Sequence, residues 1–232
     1  MNGLWFLPSI LVVGLLAVGV LGARTEILSP GLGFYLFLVG VVLSGLSALV
    51  LAGASAFASA TGRAWRGSAV RAAALPLLVT VAIVLPQLSD PAPILNDVST
   101  DLEDPPAFAP DVAAAPAPAR PDLSELQRAA YPDIQPFRMS EAPAQTLQRA
   151  LRTAEGMPRW EITGQDEAQG LIYAVATSRL FRFKDDVVIR IRAHDGGSEL
   201  DMRSRSRIGR GDMGANAARI RAYQDRLRAA SD

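Results

Sequence analysis

Arg203, Arg205 and Arg207 stand at alternate positions of the segment DMRSRSRIGRGDMGANAARI, residues 201–220, and Arg210 follows after a glycine. A guanidinium is a permanent cation with its N–H donors in a planar fork, so such a run suits phosphate or carboxylate oxygens. Along an extended chain successive side chains point to opposite faces. Asp201, Arg203, Arg205 and Arg207 then share one side, while Leu200, Met202 and Ile208, with Ser204 and Ser206, take the other. Residues 187–193 alternate likewise, with Val187, Ile189 and Ile191 on one face and Val188, Arg190 and Arg192 on the other. If the two segments pair as strands, five arginines meet on one face, eased by acids such as Asp186, Glu199 and Asp201.

Gly209, Arg210 and Gly211 lead into an alanine-rich helix whose first N–H groups, beside arginine, form a ready anion site. Asp212 at the cap position competes with an incoming anion for those groups. The candidate anion- or partner-binding residues are therefore Arg190, Arg192, Arg203, Arg205, Arg207 and Arg210, with Asp186, Asp201, Asp212 and Asn216 in support. Two readings of the face stand level: a ligand site, or a network of internal ion pairs. Exposed pairs contribute only about 0–1 kcal/mol each, so stability alone explains such a face poorly. Geometry separates the two, because a ligand site needs unpaired, convergent guanidinium groups and a network gives each its carboxylate.

Catalysis finds less support. The chain has no cysteine and one histidine, which removes a thiol nucleophile, disulfides and the usual structural zinc site. His194 falls in the glycine-rich HDGG and reads as an exposed turn residue. Asp185 and Asp186 are adjacent, so on an extended segment they point apart, and Lys184-Asp185-Asp186 reads as a turn. Asp201 among arginines fits a structural salt bridge better than a catalytic acid. The alternative to a binding module is an envelope hydrolase using Asp and Arg chemistry, but no catalytic residue, cofactor or metal ligand is assigned. Basic and acidic residues balance at 23 each, and aromatic residues do not interleave with the arginines, which argues against a nucleic-acid partner. The RGD triplet at 210–212 arises often by chance.

The elements that must position these residues follow from periodicity. Ala144, Leu147, Leu151 and Ala154 have helical spacing, with Ser140 as N-cap and Gly156 as the stop. Strands are expected at 160–163, 171–183, 187–193 and 198–208, and a last helix presents Ala217, Ile220, Tyr223 and Leu227. The prediction is an α+β domain with an antiparallel sheet of about four strands and two helices covering one face. Ahead of it, 89–121 is rich in proline, alanine and aspartate. Ile94, Leu95, Val98 and Phe108 are anchors for an ordered arm within it, while 109–120 reads as a loose tether.

Three charge-free apolar stretches, about 4–22, 32–60 and 72–88, meet the length needed to cross a bilayer and must be helical there. The first lacks a preceding Lys or Arg and a good cleavage site, so it is read as an uncleaved helix rather than a signal peptide. The loop holding Arg63 and Arg66, with Arg71 at the membrane edge, belongs in the cytoplasm by the positive-inside rule. The amino terminus is then cytoplasmic and the remainder emerges into a bacterial periplasm. Gly40, Ser44, Ala48, Ala52, Ala56 and Ala60 form a row of small residues suited first to packing within the chain, and second to self-association. The expected organisation is a membrane region at 1–88, an arm and linker at 89–121 and a folded domain at 122–232.

NDVSTDLEDPPAF, YPDIQP, FKDDVVIRIR and DMRSRSRIGRGDMGANAARI together resemble a bacterial and plastid family, domain of unknown function 1499, over about residues 94–230. That resemblance implies a domain commonly preceded by membrane helices, and no particular chemistry. The combined expectation is a membrane-anchored binding module. Its partners would be membrane lipids and an anionic ligand or envelope protein, with a homo-oligomer through the second helix as a further option.

Overall fold

The computed structural model describes residues 4–89, 91–109 and 121–229. The chain forms two compact units, Met1–Pro91 with Leu180–Arg182, and Ala92–Arg179 with Phe183–Asp232.

The first unit holds α1 (Leu7–Arg24), α2 (Pro30–Ala60) and α3 (Arg66–Ser89), all long and apolar enough to cross a membrane. Ser29 caps α2 by accepting from Leu32 N, and Pro30 occupies the first turn, where its missing N–H costs nothing. α1 and α2 approach closely at a glycine pair, since a Cβ on Gly19 would lie 2.6 Å from Gly33 O. Pro76 inside α3 has no N–H to donate to Ala72 O, and Ser9 Oγ from α1 donates to that carbonyl at 3.0 Å. Gly40, Ser44 and Ala48 are buried within the unit, with Ser44 Oγ donating to Pro76 O at 2.7 Å, whereas Ala52, Ala56 and Ala60 are exposed.

The second unit is α+β. Its sheet contains β1 (Asp97–Ser99), β2 (Phe137–Met139), β3 (Trp160–Asp166), β4 (Leu171–Thr177), β5 (Lys184–His194) and β6 (Gly197–Ser206). The antiparallel order is β1-β6-β5-β4-β3, and β2 also pairs with β6. The meander β3 to β6 matches the expected four strands. The other two are short pieces of preceding segments that share the outer edge of β6, β1 at Arg203–Arg205 and β2 at Ser198–Leu200.

Among the described residues three helices accompany the sheet: α4 (Pro121–Ala130), α5 (Pro143–Glu155) and α6 (Ala215–Ala229). The alternate residues Val187, Ile189, Ile191, Leu200 and Met202 face α5 and α6, and Ala150, Ala154, Ala217, Ile220, Tyr223 and Leu227 complete the core. Tyr223 stacks on Trp160 at 5.6 Å and its hydroxyl donates to Ala150 O at 2.9 Å, so the buried phenol keeps a partner.

Several local expectations need correction. Lys184-Asp185-Asp186 opens β5 instead of turning, because both carboxylates find arginines while their backbones join the ladder. The turn falls earlier, where Ser178 N donates to Phe183 O and Phe183 N to Ser178 Oγ, so β4 stops at Thr177. Ser140 does not cap α5. Pro143 fixes the helix start and forces Ala142 to be extended, which leaves Ser140 too far back. α4 was not anticipated, and its chain neighbours at 110–120 lie outside the described residues, as does nearly all of the expected tether. In the arm, Leu95 and Val98 are buried anchors as expected, but Ile94 is 71% exposed.

Candidate functional site

The β5–β6 hairpin sets the site by register. Arg190 stands opposite Asp201, Arg192 opposite Glu199, Val188 opposite Arg203 and Asp186 opposite Arg205. Period two therefore gathers Arg190, Arg192, Arg203 and Arg205 on the face away from the α5–α6 core, and Arg207 joins them just past the strand. Against these five arginines the hairpin supplies three carboxylates, Asp186, Glu199 and Asp201.

The arm supplies three more. Arg203 forms a bidentate pair with Asp97, Nε to Oδ1 at 2.9 Å and Nη2 to Oδ2 at 2.7 Å. Arg190 reaches Asp104 Oδ2 at 2.9 Å, Asp201 Oδ2 at 3.1 Å and Asp101 Oδ2 at 3.3 Å. Arg192 reaches Asp201 Oδ2 at 2.8 Å, Asp101 Oδ2 at 3.0 Å, Asp104 Oδ2 at 3.3 Å and Glu199 Oε1 at 3.5 Å. Phe108 lies beneath two guanidinium groups, 4.8 Å from Arg203 and 4.4 Å from Arg205. Arg207 pairs with the buried Asp186 at 2.6 Å. Among the described residues Arg205 and Arg210 make no ion pair; Arg205 is buried against Phe108, and Arg210 is exposed on the loop beyond β6.

The carboxylates differ in what surrounds them. Burial works to raise Asp101, but the N–H groups of Asp104 and Glu103, both donating to Oδ1 at 3.0 Å, and Arg192 outweigh it and hold the acid below its ordinary range. Asp201 is fully buried, and burial raises it despite Arg190 and Arg192. Burial also opposes the charge on Arg192, yet Asp201, Asp101 and Glu199 together raise it overall. Among the described residues, Asp201 Oδ1 and Asp186 Oδ2 are buried without a hydrogen-bond partner.

Asp212 and Asn216 stand apart from this face. Asp212 accepts from Gly214 N at 2.8 Å and Asn216 N at 2.7 Å, so it occupies the helix-start donors itself. Asn216 belongs to a buried network under α6, where its Oδ1 accepts from Ser204 Oγ at 2.7 Å and Arg219 pairs with Asp185 at 2.5 Å. Arg210 is likewise not brought to Arg190 and Arg192. His194 ends β5 with Nε2 3.1 Å from Asp195. Among the described residues no group of three His, Cys, Asp or Glu side chains is placed to hold a metal ion.

Sequence reasoning missed the roles of Asp97, Asp101 and Asp104, and it named Phe108 as an arm anchor without its guanidinium partners. The signal was present: three aspartates in nine residues of NDVSTDLED with no base among them, beside strands carrying surplus arginine.

A family model described as "Protein of unknown function (DUF1499)" matches residues 97–227. The chain belongs to this family. The matched DUF1499 segment begins at the first arm carboxylate, Asp97, and runs through α6 to the last core leucine, so the arginine face and its acids fall inside it while the three apolar helices precede it. No curated protein and no solved structure matches the chain.

Proposed function

We propose that this DUF1499 protein is a membrane-anchored binding module whose arginine face takes a phosphate-bearing or other anionic ligand in exchange for part of its own arm. Three helices anchor it in a bacterial inner membrane, with Arg63 in the α2–α3 loop and Arg66 and Arg71 in the first turns of α3 on the cytoplasmic side and the DUF1499 domain in the periplasm. One observation carries the reading: Asp104, whose side chain is 68% exposed, bridges Arg190 and Arg192 with one carboxylate oxygen. Asp97 and Val98 are tied into the sheet, but Asp104 sits in the turn beyond β1, and its oxygen marks where a phosphate oxygen would bind both guanidinium groups. With the three arm acids in place the six carboxylates outnumber the five arginines by one. Without them the face carries a surplus of two positive charges, so the arm acts as the resting occupant.

A hydrolase-like reading has one observation in its favour. Asp101 and Asp201 share Arg190 and Arg192, yet their acidities are pushed in opposite directions, the pattern expected of a base and an acid side by side.

Native mass spectrometry of the detergent-purified full chain, titrated with phosphatidylglycerol and separately with inorganic phosphate, tests the binding module. Asp104→Asn is expected to strengthen the adduct several-fold and Arg190→Gln/Arg192→Gln to abolish it. Equal adducts on all three proteins would overturn the proposal, and turnover of an added phosphoester would favour the hydrolase.

A further inference from the structure

Exposed apolar surface in the second unit is concentrated at one corner. Among the described residues of that unit the exposed large apolar side chains are Ile94, Leu126, Ile208 and Met213, and all but Leu126 belong to one piece of structure. Asp212 N donates to Leu95 O at 2.9 Å, Ser206 N to Asn96 O at 2.8 Å and Asn96 Nδ2 to Gly209 O at 2.7 Å. Gly211 lies beside Ile94, where an added Cβ would make ordinary contact at 3.5 Å from its Cα. These contacts fix the loop at 207–213 onto the beginning of the arm. Met213 holds a φ of 55°, a left-handed conformation unfavourable for a residue with a side chain, yet that side chain is 62% exposed and gains little packing in the unit.

Among the described residues, exposed charge at the corner has one sign. Arg207 and Arg210 are exposed, and so is Lys184, whose carbonyl accepts from Arg207 N at 3.2 Å. The acids nearby are turned inward: Asp186, the partner of Arg207, is buried, and Asp212 engages both oxygens with backbone N–H groups. The short link from α3 decides what can meet this surface. Ile94 lies five residues beyond Ser89, the last residue of α3, and a chain of that length reaches at most about 18 Å.

We infer that the corner formed by Ile94, Ile208 and Met213, ringed by Lys184, Arg207 and Arg210, is a bilayer-contact surface. The apolar side chains enter the interfacial layer and the cations meet anionic lipid headgroups. The inference rests on the reading of the helices as membrane spans and is independent of ligand exchange at Arg190 and Arg192.

The chain has no cysteine, so a single introduced one can carry a nitroxide. Full-length Met213→Cys, spin-labelled and reconstituted into vesicles of phosphatidylcholine with phosphatidylglycerol, is compared with Ala168→Cys in the exposed β3–β4 turn. Collisions with a water-soluble nickel chelate are expected to be several-fold rarer at 213 than at 168, and collisions with oxygen more frequent. Pure phosphatidylcholine, or Lys184→Gln/Arg210→Gln in the mixed vesicles, is expected to return part of the nickel accessibility. A label at 213 as open to nickel as the one at 168 overturns the inference, and protection indifferent to lipid charge and to those substitutions overturns its headgroup part. Arg190→Gln/Arg192→Gln is expected to leave the label at 213 unchanged, so failure here is distinguishable from failure of the ligand proposal.

Discussion

Asp101 concentrates the electrostatics of the face in one side chain. Its Oδ1 holds the turn through two backbone N–H groups while its Oδ2 meets Arg190 and Arg192, so protonation weakens the turn and the ion pairs together. An acid held below its ordinary range stabilises the fold above its unfolded pKa of about 3.9 and loses that contribution as pH falls through its lower folded value. Asp201, raised by burial, works in the opposite sense and favours the fold least when ionised. Asp101→Asn is therefore expected to lower the melting temperature at pH 7, with the gap from wild type narrowing below about pH 4. Calorimetric scans across that range check it, and a gap that widened in acid would refute the assignment. The adjacent pair Asp185 and Asp186 makes a related point: neighbouring residues face opposite ways, one to Arg219 under α6 and the other to Arg207 on the far face. That divergence was legible from period two alone. Their place inside a strand was not, because local composition favours a turn and only the distant arginines reverse the preference.

At the scale of elements, the loop from β6 into α6 is a capping device. Asp212 stands before the helix and still accepts from Asn216 N inside it, while Gly209 and Gly214, at φ values of 97° and 78°, make the tight path that brings it there. Asp212→Ala is expected to cost about 1 kcal/mol, and Asp212→Asn much less, as read by denaturant unfolding with unchanged m-value. Equal losses in both variants would mean that the carboxylate charge matters rather than the cap. The capping aspartate, the alternation of β5 and β6 and the apolar stripe of α6 could all be read in the sequence because each depends on neighbours a few residues away. The arm could be read only in part. Its apolar anchors Leu95 and Val98 show in composition, but the pairing of Asp97 with Arg203 joins residues 106 apart, and nothing local announces it. The strand β2 and the helix α4 were missed for a similar reason, being short segments shaped by what they pack against.

The whole molecule divides into parts with separate sources of stability. The core under the sheet draws its members from Leu95 to Leu227 and includes no residue of α1, α2 or α3. A fragment comprising residues 92–232 is thus expected to fold without the helices, giving a sharp near-UV dichroism spectrum and a cooperative melt. A fragment with helical far-UV signal but no near-UV structure would show that the apolar helices are needed for packing. The outer edge of β6 carries a further consequence. It is shared by β1 and β2, both of which precede it in the chain. During synthesis the acidic arm emerges first and must wait for nearly the whole domain before its partner strand exists. Until then it is a solvated, negatively charged stretch, and when β6 arrives its open edge is complementary in charge as well as in hydrogen bonding. The arm is thus the first part of the domain to be made, and together with β2 it closes the outer edge of β6, where a second nascent chain could otherwise add.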